Sequence, residues 1–450
     1  MKNTTTAKLL TTVISLLCFQ FLTAQDEFRS GDVLITGGKL LTVTNGDMEE
    51  TDLLILDGKI AEIGTNLTAP EGVPTLDATG KYIMPGIVDA HSHIGLDAVN
   101  EATNPMTPEV AIADVINPFD IALYHALAGG VTVSHAMHGS ANVIGGQNQT
   151  IKHRYGAMLP SDLIMEDARR TVKFALGENP IRVHGEGYNT LPNTRMGVET
   201  VIRQGFDNAL AYREAWDEFY RKKEEGIVAV PPRYKKRKEV LLEILDGEIL
   251  IHCHSYRSDE IYMLMNVCRD YGIEEIIFQH VNEGFKVAPE LAEFGAMASV
   301  FSDWWAYKFE VYYSTAYNTT ILAQNNVITS VNSDSRALIR HLYLEAAKAQ
   351  RYGQLSDNQT LELITINPAI QLGIDDRVGS LETGKDGDVA IFSGHPLSIY
   401  SIPEYTFVDG IMYFNRTEDP DDMRLVTDPE EEFESFMRLK SGRGDHDCLH

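Results

Sequence analysis

Cysteine is scarce in this chain, basic charge is scarce, and long apolar runs are scarcer still. Four of its 450 residues are cysteine, and past the N-terminal segment only Cys253, Cys268 and Cys448 remain, which excludes a disulfide scaffold. Cys253 falls in the middle of an apolar strand-like run and reads as a buried free thiol. Lysine and arginine number 38 against 65 aspartates and glutamates, a formal charge of −27, which argues against nucleic acid or an anionic membrane as partner, since phosphate binding needs a basic surface. The one basic run, "RYKKRK" from Arg233 to Lys238, reads as a solvated helix start. The acidic tail, "EDPDD" followed by "DPEEEFE", reads as solvation.

One apolar stretch stands out, "LLTTVISLLCFQFL", and it is short and rich in Thr and Ser for a membrane span. Lys2 and Lys8 precede it and Thr23-Ala24-Gln25 follows, the pattern of a secretory leader over residues 1–24 and of a periplasmic or secreted protein. Leu22, where a small residue belongs, leaves an uncleaved anchor as the alternative. Leu17 before Cys18 argues against lipid attachment.

Length and patterning set the architecture. Residues 25–86 hold short strands and glycine turns, "DVLITGGKLLTV", "LDGKIAEIG" and "PTLDATGKYIMPG", with Asp-Gly between two alternating runs as a hairpin signal. "GSLETGKDGDVAIFSG" and "YTFVDGIMYFNR" repeat that chemistry within residues 376–416. Two distant strand-rich pieces around a large middle, residues 87–375, predict a small β domain interrupted by another, with residues 417–450 as the tail. The middle alternates helix-like runs ("PFDIALYHALAGG", "SDEIYMLMNVCRDYG") with strand-like ones ("VTVSHA", "VKFALG", "EILIHCH", "EIIFQH", "GAMASVF", "NVITSVNSD"). Counting from "IMPGIVDAH", about eight strands can be placed, the third ("NQTIKHR") being the weakest, which favours a closed (β/α)₈ barrel. An open doubly wound sheet is the alternative, and its glycine-rich phosphate fingerprint is missing.

Barrel enzymes carry their chemistry at the carboxyl ends of strands, and polar residues close these apolar runs repeatedly. His91 and His93 close the first, one residue apart and so pointing the same way; His252 and His254 close the fifth, His280 the sixth and Asp334 the eighth. A lone histidine is more often a satisfied core or surface residue than a ligand. Placed together at one barrel end, neutral imidazoles and a carboxylate suit zinc or a similar divalent ion, one or two per chain, with a position left for water.

Here the sequence resembles the amidohydrolase superfamily over nearly the whole chain beyond the leader. "PGIVDAHSH" is similar to that family's first-strand signature, "GGVTV" to its second strand, and "GSLETGKDGDVAIF" to its return to a β-sandwich. The resemblance implies a (β/α)₈ TIM-type barrel with a composite β-sandwich built from both chain ends. It implies His91 and His93 as metal ligands, His252 and His280 as the histidines of strands five and six, and Asp334 as the aspartate that closes strand eight. His252 and His254 share a strand face and either can be the fifth-strand ligand. The family pattern favours His252, leaving His254 for substrate or catalysis. On strand four the family uses a carboxylated lysine, a glutamate or no ligand. Lys173 and Glu178 are an odd number of positions apart and face oppositely in a regular strand. Glu178, just past the carboxyl end, is preferred as the metal ligand, and Lys173, near the strand start, is the alternative.

Such a centre lowers the pKa of water to ~7 and polarises a carbonyl, while Asp334 takes the attacking proton and returns it to the leaving nitrogen. In ring deaminases of this family the fifth-strand histidine is commonly followed three positions later by glutamate; here Ser255 stands there, which disfavours a deaminase. The reaction expected is hydrolysis of an open amide or peptide, in the manner of a prolidase or dipeptidase. A cyclic-amide hydrolase or deaminase, a phosphoesterase and a noncatalytic barrel that only binds are the alternatives. Candidate substrate residues are Arg257, for a carboxylate, and His138 and Gln147 in the loop "HGSANVIGGQ". Arg195 and the aromatics Trp304, Trp305 and Tyr307 rank behind them. The partner implied is a small-molecule substrate; further copies of the chain are left open, and no membrane is expected once the leader is removed.

Overall fold

Apolar runs broken by Asp-Gly pairs become hairpins in the computed structural model, which describes residues 28–305 and 307–426. The leader and most of the acidic tail lie outside the described residues. The first strands are β1 (Val33–Leu41), β2 (Asp47–Leu56), β3 (Lys59–Gly64), β4 (Thr75–Asp77) and β5 (Tyr82–Pro85). The middle of the chain carries β6 (Ile87–Ser92), β7 (Val131–Ala136), β8 (Ile144–Gln147), β9 (Gln149–Lys152) and β10 (Thr171–Ala175). It continues through β11 (Leu250–Ser255), β12 (Ile276–His280), β13 (Met297–Val300) and β14 (Thr329–Val331). The last three are β15 (Val389–Phe392), β16 (Pro403–Val408) and β17 (Ile411–Asn415).

Both ends of the chain meet in one eight-stranded sheet of order β17-β16-β15-β5-β1-β2-β3, with β4 beside β1. The β2–β3 and β16–β17 connections turn at Asp57-Gly58 (φ +50° and +75°) and Asp409-Gly410 (φ +50° and +71°). Two successive positive φ values are what a tight two-residue hairpin demands, and Asp followed by Gly meets that demand at little cost. Val33, Ile35, Leu53, Ile55, Val389 and Ile391 alternate inward to form this sheet's core.

The middle is an α/β unit. A six-stranded sheet runs β14-β13-β12-β11-β10-β8, and a three-stranded sheet runs β6-β7-β9. From β10 to β14 every pairing is parallel, with helices such as Ser258–Tyr271 in the connections. That helix stops at Gly272, φ +71°. The expected third strand proves to be the kinked run β8–β9, antiparallel to both β10 and β7, because it turns back directly from β7 without a crossover helix. Past β14, the Asp334 N–H donates to the His91 carbonyl at 3.1 Å, and the Ser333 hydroxyl donates to Asp89 beside it. The far end of the long sheet is thereby tied to β6. No helix among the described residues is long and apolar enough to cross a membrane.

A buried charge cluster joins the middle to the end sheet. Lys152 on β9 is fully buried, with Asp386, Asp388 and Asp409 at 2.7, 2.9 and 2.5 Å. Burial works against its charge, but the three carboxylates outweigh it and hold the ammonium above its ordinary pKa. Removing the cation strands buried carboxylates against one another, so Lys152→Met is expected to cost about 3–5 kcal/mol of stability. Denaturant unfolding measures it; a loss below ~1 kcal/mol would show that Arg154 and Arg377, which also reach these aspartates, suffice without it.

The chain from residue 417 departs from the solvated tail expected of it. Asp419 is 1% exposed, paired with Arg424, and accepts the Tyr124 hydroxyl at 2.6 Å. The Asp419 carboxylate therefore docks on the helix Ile121–Ala128, while Glu418 and Asp422 stay exposed. Cys253 and Cys268 are buried free thiols, as the sequence implied for Cys253.

Candidate metal centre

Four of the expected residues converge at the carboxyl ends of β6, β12 and β14. Asp334 Oδ1 lies 3.4 Å from His91 Nε2 and 3.2 Å from His93 Nε2, and its Oδ2 lies 3.7 Å from His280 Nε2. Ligand atoms of His91, His280 and Asp334 all fall within 4.8 Å of one another. His280 and Asp334 have φ of +70° and +43°, a left-handed backbone that costs a non-glycine residue energy and recurs at functional positions. At His280 this kink breaks strand alternation, so Gln279 and His280 both point inward.

Hydrogen bonding presents the imidazoles as ligands. His91 Nδ1 pairs with Gln279 Oε1 at 3.0 Å, and His93 Nδ1 pairs with the Met137 carbonyl at 2.9 Å. An oxygen acceptor requires the proton on Nδ1, so in both rings the Nε2 lone pair faces Asp334. Metal-binding histidines are oriented by such outer partners. His280 is fully buried with neither ring nitrogen hydrogen-bonded, an arrangement that costs free energy unless a ligand completes it. Burial brings His280 down to about 3 and His91 well below its ordinary value, so both are neutral donors. Asp334 feels the opposite balance: burial raises its pKa, but His93, His280 and Lys173 outweigh it and hold the carboxyl below its usual range.

At two strands the geometry brings a different candidate toward the cluster from the one expected, although His252 Nε2, like the nitrogens of His280, is buried without a hydrogen-bond partner. His254, not His252, faces the cluster: its ring is 4.7 Å from that of His280, with Asn179 Nδ2 at 3.2 Å from its Nε2. His252 sits one layer deeper, in register with Lys173, its Nδ1 taken by the Gln279 amide at 3.0 Å and its ring against His135. Lys173, not Glu178, reaches the cluster from β10, with Nζ 3.1 Å from His91 Nε2. Its strand position is as deep as expected, but a four-carbon side chain climbs the layer that an imidazole cannot. Glu178 is carried away because the chain turns at Gly177, φ +75°, where a Cβ would fall 2.5 Å from Glu310 Oε2. Its carboxylate lies at 3.2 Å from Arg182 and 3.7 Å from Lys308.

The expected substrate residues are dispersed. Both His138 nitrogens are held by backbone, the Gly139 carbonyl at 2.9 Å and the Glu101 N–H at 3.0 Å, so it fixes its loop. Gln147 is carried by antiparallel β8 toward the start of β10, where it bonds Arg170 and the Pro108 carbonyl. Arg257 is spent on Asp259 at the entry to the next helix, 3.0 Å, and Arg195 on Glu310 and Glu260. The aromatics do wall the site: Phe301 stacks on His280 at 4.3 Å, Trp304 on Phe301 at 4.4 Å, and the Tyr307 hydroxyl donates to that of Tyr256 at 3.1 Å. Trp305 is half exposed. Gln279, Asn179, Tyr256 and Lys308 escaped the sequence reading; only the place of Gln279 beside His280 offered a signal.

Comparison with known proteins identifies the family. A solved amidohydrolase from Thermotoga maritima is 33% identical, covers 85% of this chain and 100% of its own length, and superposes with a TM-score of 0.78. The chain belongs to the amidohydrolase superfamily. Residues 310–415 match the family model "Amidohydrolase family". The amidohydrolase tasK of Hapsidospora irregularis is 30% identical over 393 residues, 81% of this chain but 40% of that relative, so the chain spans about two fifths of its length. A D-hydantoinase from Geobacillus stearothermophilus is 49% identical over 63 residues, 14% of this chain and 13% of its own.

Proposed function

We propose that the chain is a divalent-metal hydrolase of carbon-nitrogen bonds, acting on an amide or peptide, with its two middle sheets forming a distorted (β/α)₈ barrel beside a composite β-sandwich. The observation that carries the reading is the pair of Nε2 lone pairs on His91 and His93, aimed at one carboxylate beside a buried His280 whose nitrogens lack partners. His91, His93, His254, His280 and Asp334 would hold the metal, with zinc the best match to this imidazole-rich set. Lys173 would join them as a carbamate, its amine taking up carbon dioxide and releasing a proton. When bound, the ion supplies Lewis acidity toward water and the substrate carbonyl.

The protein's own residues manage the protons. Asp334, ionised at neutral pH, accepts the proton of the attacking water and delivers it to the leaving nitrogen. The stacked wall of Phe301 and Trp304 excludes bulk water beside His280. With His254 as the fifth-strand residue, Arg257 stands three positions on, so no glutamate is available for a ring deaminase under either assignment. A cyclic amide is the second reading, favoured by the short close match to a D-hydantoinase. Export rests on the sequence of residues 1–24.

Purified protein screened against dipeptides, N-acyl amino acids and cyclic amides, before and after chelation, tests this. About one or two ions per chain are expected, with turnover of one class abolished by chelation and restored by zinc. Full turnover without metal would overturn the mechanism.

A further inference from the structure

Two charged stretches, the basic run from Arg233 to Lys238 and the acidic run from Asp428, take no part in the chemistry of the metal centre. The helices Arg195–Glu224 and Lys236–Leu245 pack against each other, and residues 227–235 cross between them without helix or strand. On this crossing Ile227, Val228, Val230 and Tyr234 are 50%, 99%, 89% and 66% exposed. Just before it Tyr220 is half exposed and stacks on Trp216 at 5.6 Å, whose indole N–H is buried without a hydrogen-bond partner. Apolar side chains gathered this closely on a surface mark a contact.

Positive charge surrounds them. Arg221, Lys222 and Lys223 end the longer helix, and Arg233, Lys235 and Lys236 lead into the shorter one. Arg221 and Lys222 pair with Glu225 and Glu218 along their own helix, and Arg237 pairs with Glu109. Lys223, Arg233, Lys235 and Lys236 are exposed and make no ion pair among the described residues. In a chain of formal charge −27, this is where a negatively charged partner is drawn.

The chain itself supplies such a partner. Asp428, Glu430, Glu431, Glu432 and Glu434 accompany Phe433, Phe436 and Met437, three apolar residues at the spacing that shares one side of a helix. Acid beside aromatic matches lysine beside valine and tyrosine. The segment is badly placed to reach the crossing on its own chain. The described residues end at Val426, just past Met423, whose carbonyl bonds His125 of the helix Ile121–Ala128. That helix lies between β6 and β7 and packs on β16 and β17, whereas the crossing lies between β10 and β11, beside a helix packed on Ser258–Tyr271. Residues 427–429 span only about 10 Å before the run of glutamates begins.

We propose that the acidic segment 428–437 of one copy of this chain docks on the basic, apolar surface 220–238 of a second copy. Two-fold symmetry makes the contact twice and closes the assembly as a homodimer.

Reversing charge on one side at a time, in chains intact through His450, checks this by sedimentation velocity. The wild type is expected to dimerise at micromolar concentration and to dissociate as salt rises. Lys235→Glu with Lys236→Glu, and separately Glu431→Lys with Glu432→Lys, are each expected to weaken the dimer by about 10²-fold with circular dichroism unchanged. Mixing the two variants should restore association, because each then meets the opposite charge on the other. A monomeric wild type, including one that floats with phosphatidylserine vesicles instead, would overturn the proposal, as would variants that stay dimeric. Failure of the mixture to associate would also overturn it, since a segment folded back on its own chain gives that result.

Discussion

Replacing Asp334 with asparagine is expected to lower kcat by about 10²–10⁴-fold while the protein stays folded and keeps most of its metal. Asparagine matches the shape of aspartate and retains one oxygen toward His91 and His93, so the imidazole geometry survives. What disappears is basicity. The carboxyl is held below its usual range, so its base form persists to a lower pH than an ordinary aspartate would allow, and an amide in its place accepts no proton. Steady-state kinetics with metal analysis on the same preparation check this. A near-normal rate with metal retained would remove Asp334 from proton transfer, whereas loss of metal together with rate would make it chiefly a ligand.

Lys173→Ala is expected to reduce both metal content and turnover by at least about 10²-fold. The ammonium, 3.1 Å from His91 Nε2, would oppose a cation at that position; a carbamate would instead offer two oxygens that share one negative charge. Added acetate or propionate, filling the space left by the side chain, should restore a measurable part of the activity. Glu178→Gln, by contrast, should leave metal stoichiometry unchanged, because that carboxylate is engaged by Arg182 and Lys308. Unaltered metal and rate in Lys173→Ala would exclude the lysine, and metal loss in Glu178→Gln would return that role to the glutamate.

Strands β6, β11 and β12 were legible because each is an apolar run closed by polar residues, which also marks out His91, His93 and His280, and "VTVSHA" is β7 to the residue. The hairpins at Asp57-Gly58 and Asp409-Gly410 were legible because only a few residue pairs tolerate their backbone. Side-chain reach was not legible. Strand position alone put Lys173 too deep and Glu178 at the right height; the length of one side chain and the turn at Gly177 reversed the choice. His252 and His254 share a face, and only the Gln279 amide, holding the deeper ring, separates them. The inward turn of both Gln279 and His280 depends on a left-handed residue that strict alternation does not anticipate. Lys308 sits in an aromatic-rich loop, where sequence gives no hint that Tyr256 and Tyr307 converge on it.

The sheet shared by the two chain ends has a consequence for synthesis. Strands β1 to β5 leave the ribosome first, but the partner of β5 on its other side is β15, encoded some three hundred residues later. Until that stretch is translated, β5 presents an unpaired edge of Ile83 and Met84, the kind of edge that recruits strands from other chains. Lys152 likewise waits on Asp386, Asp388 and Asp409. Maturation of this protein is therefore gated by residues 386–415, and a truncation before β15 should yield aggregates rather than a smaller folded unit.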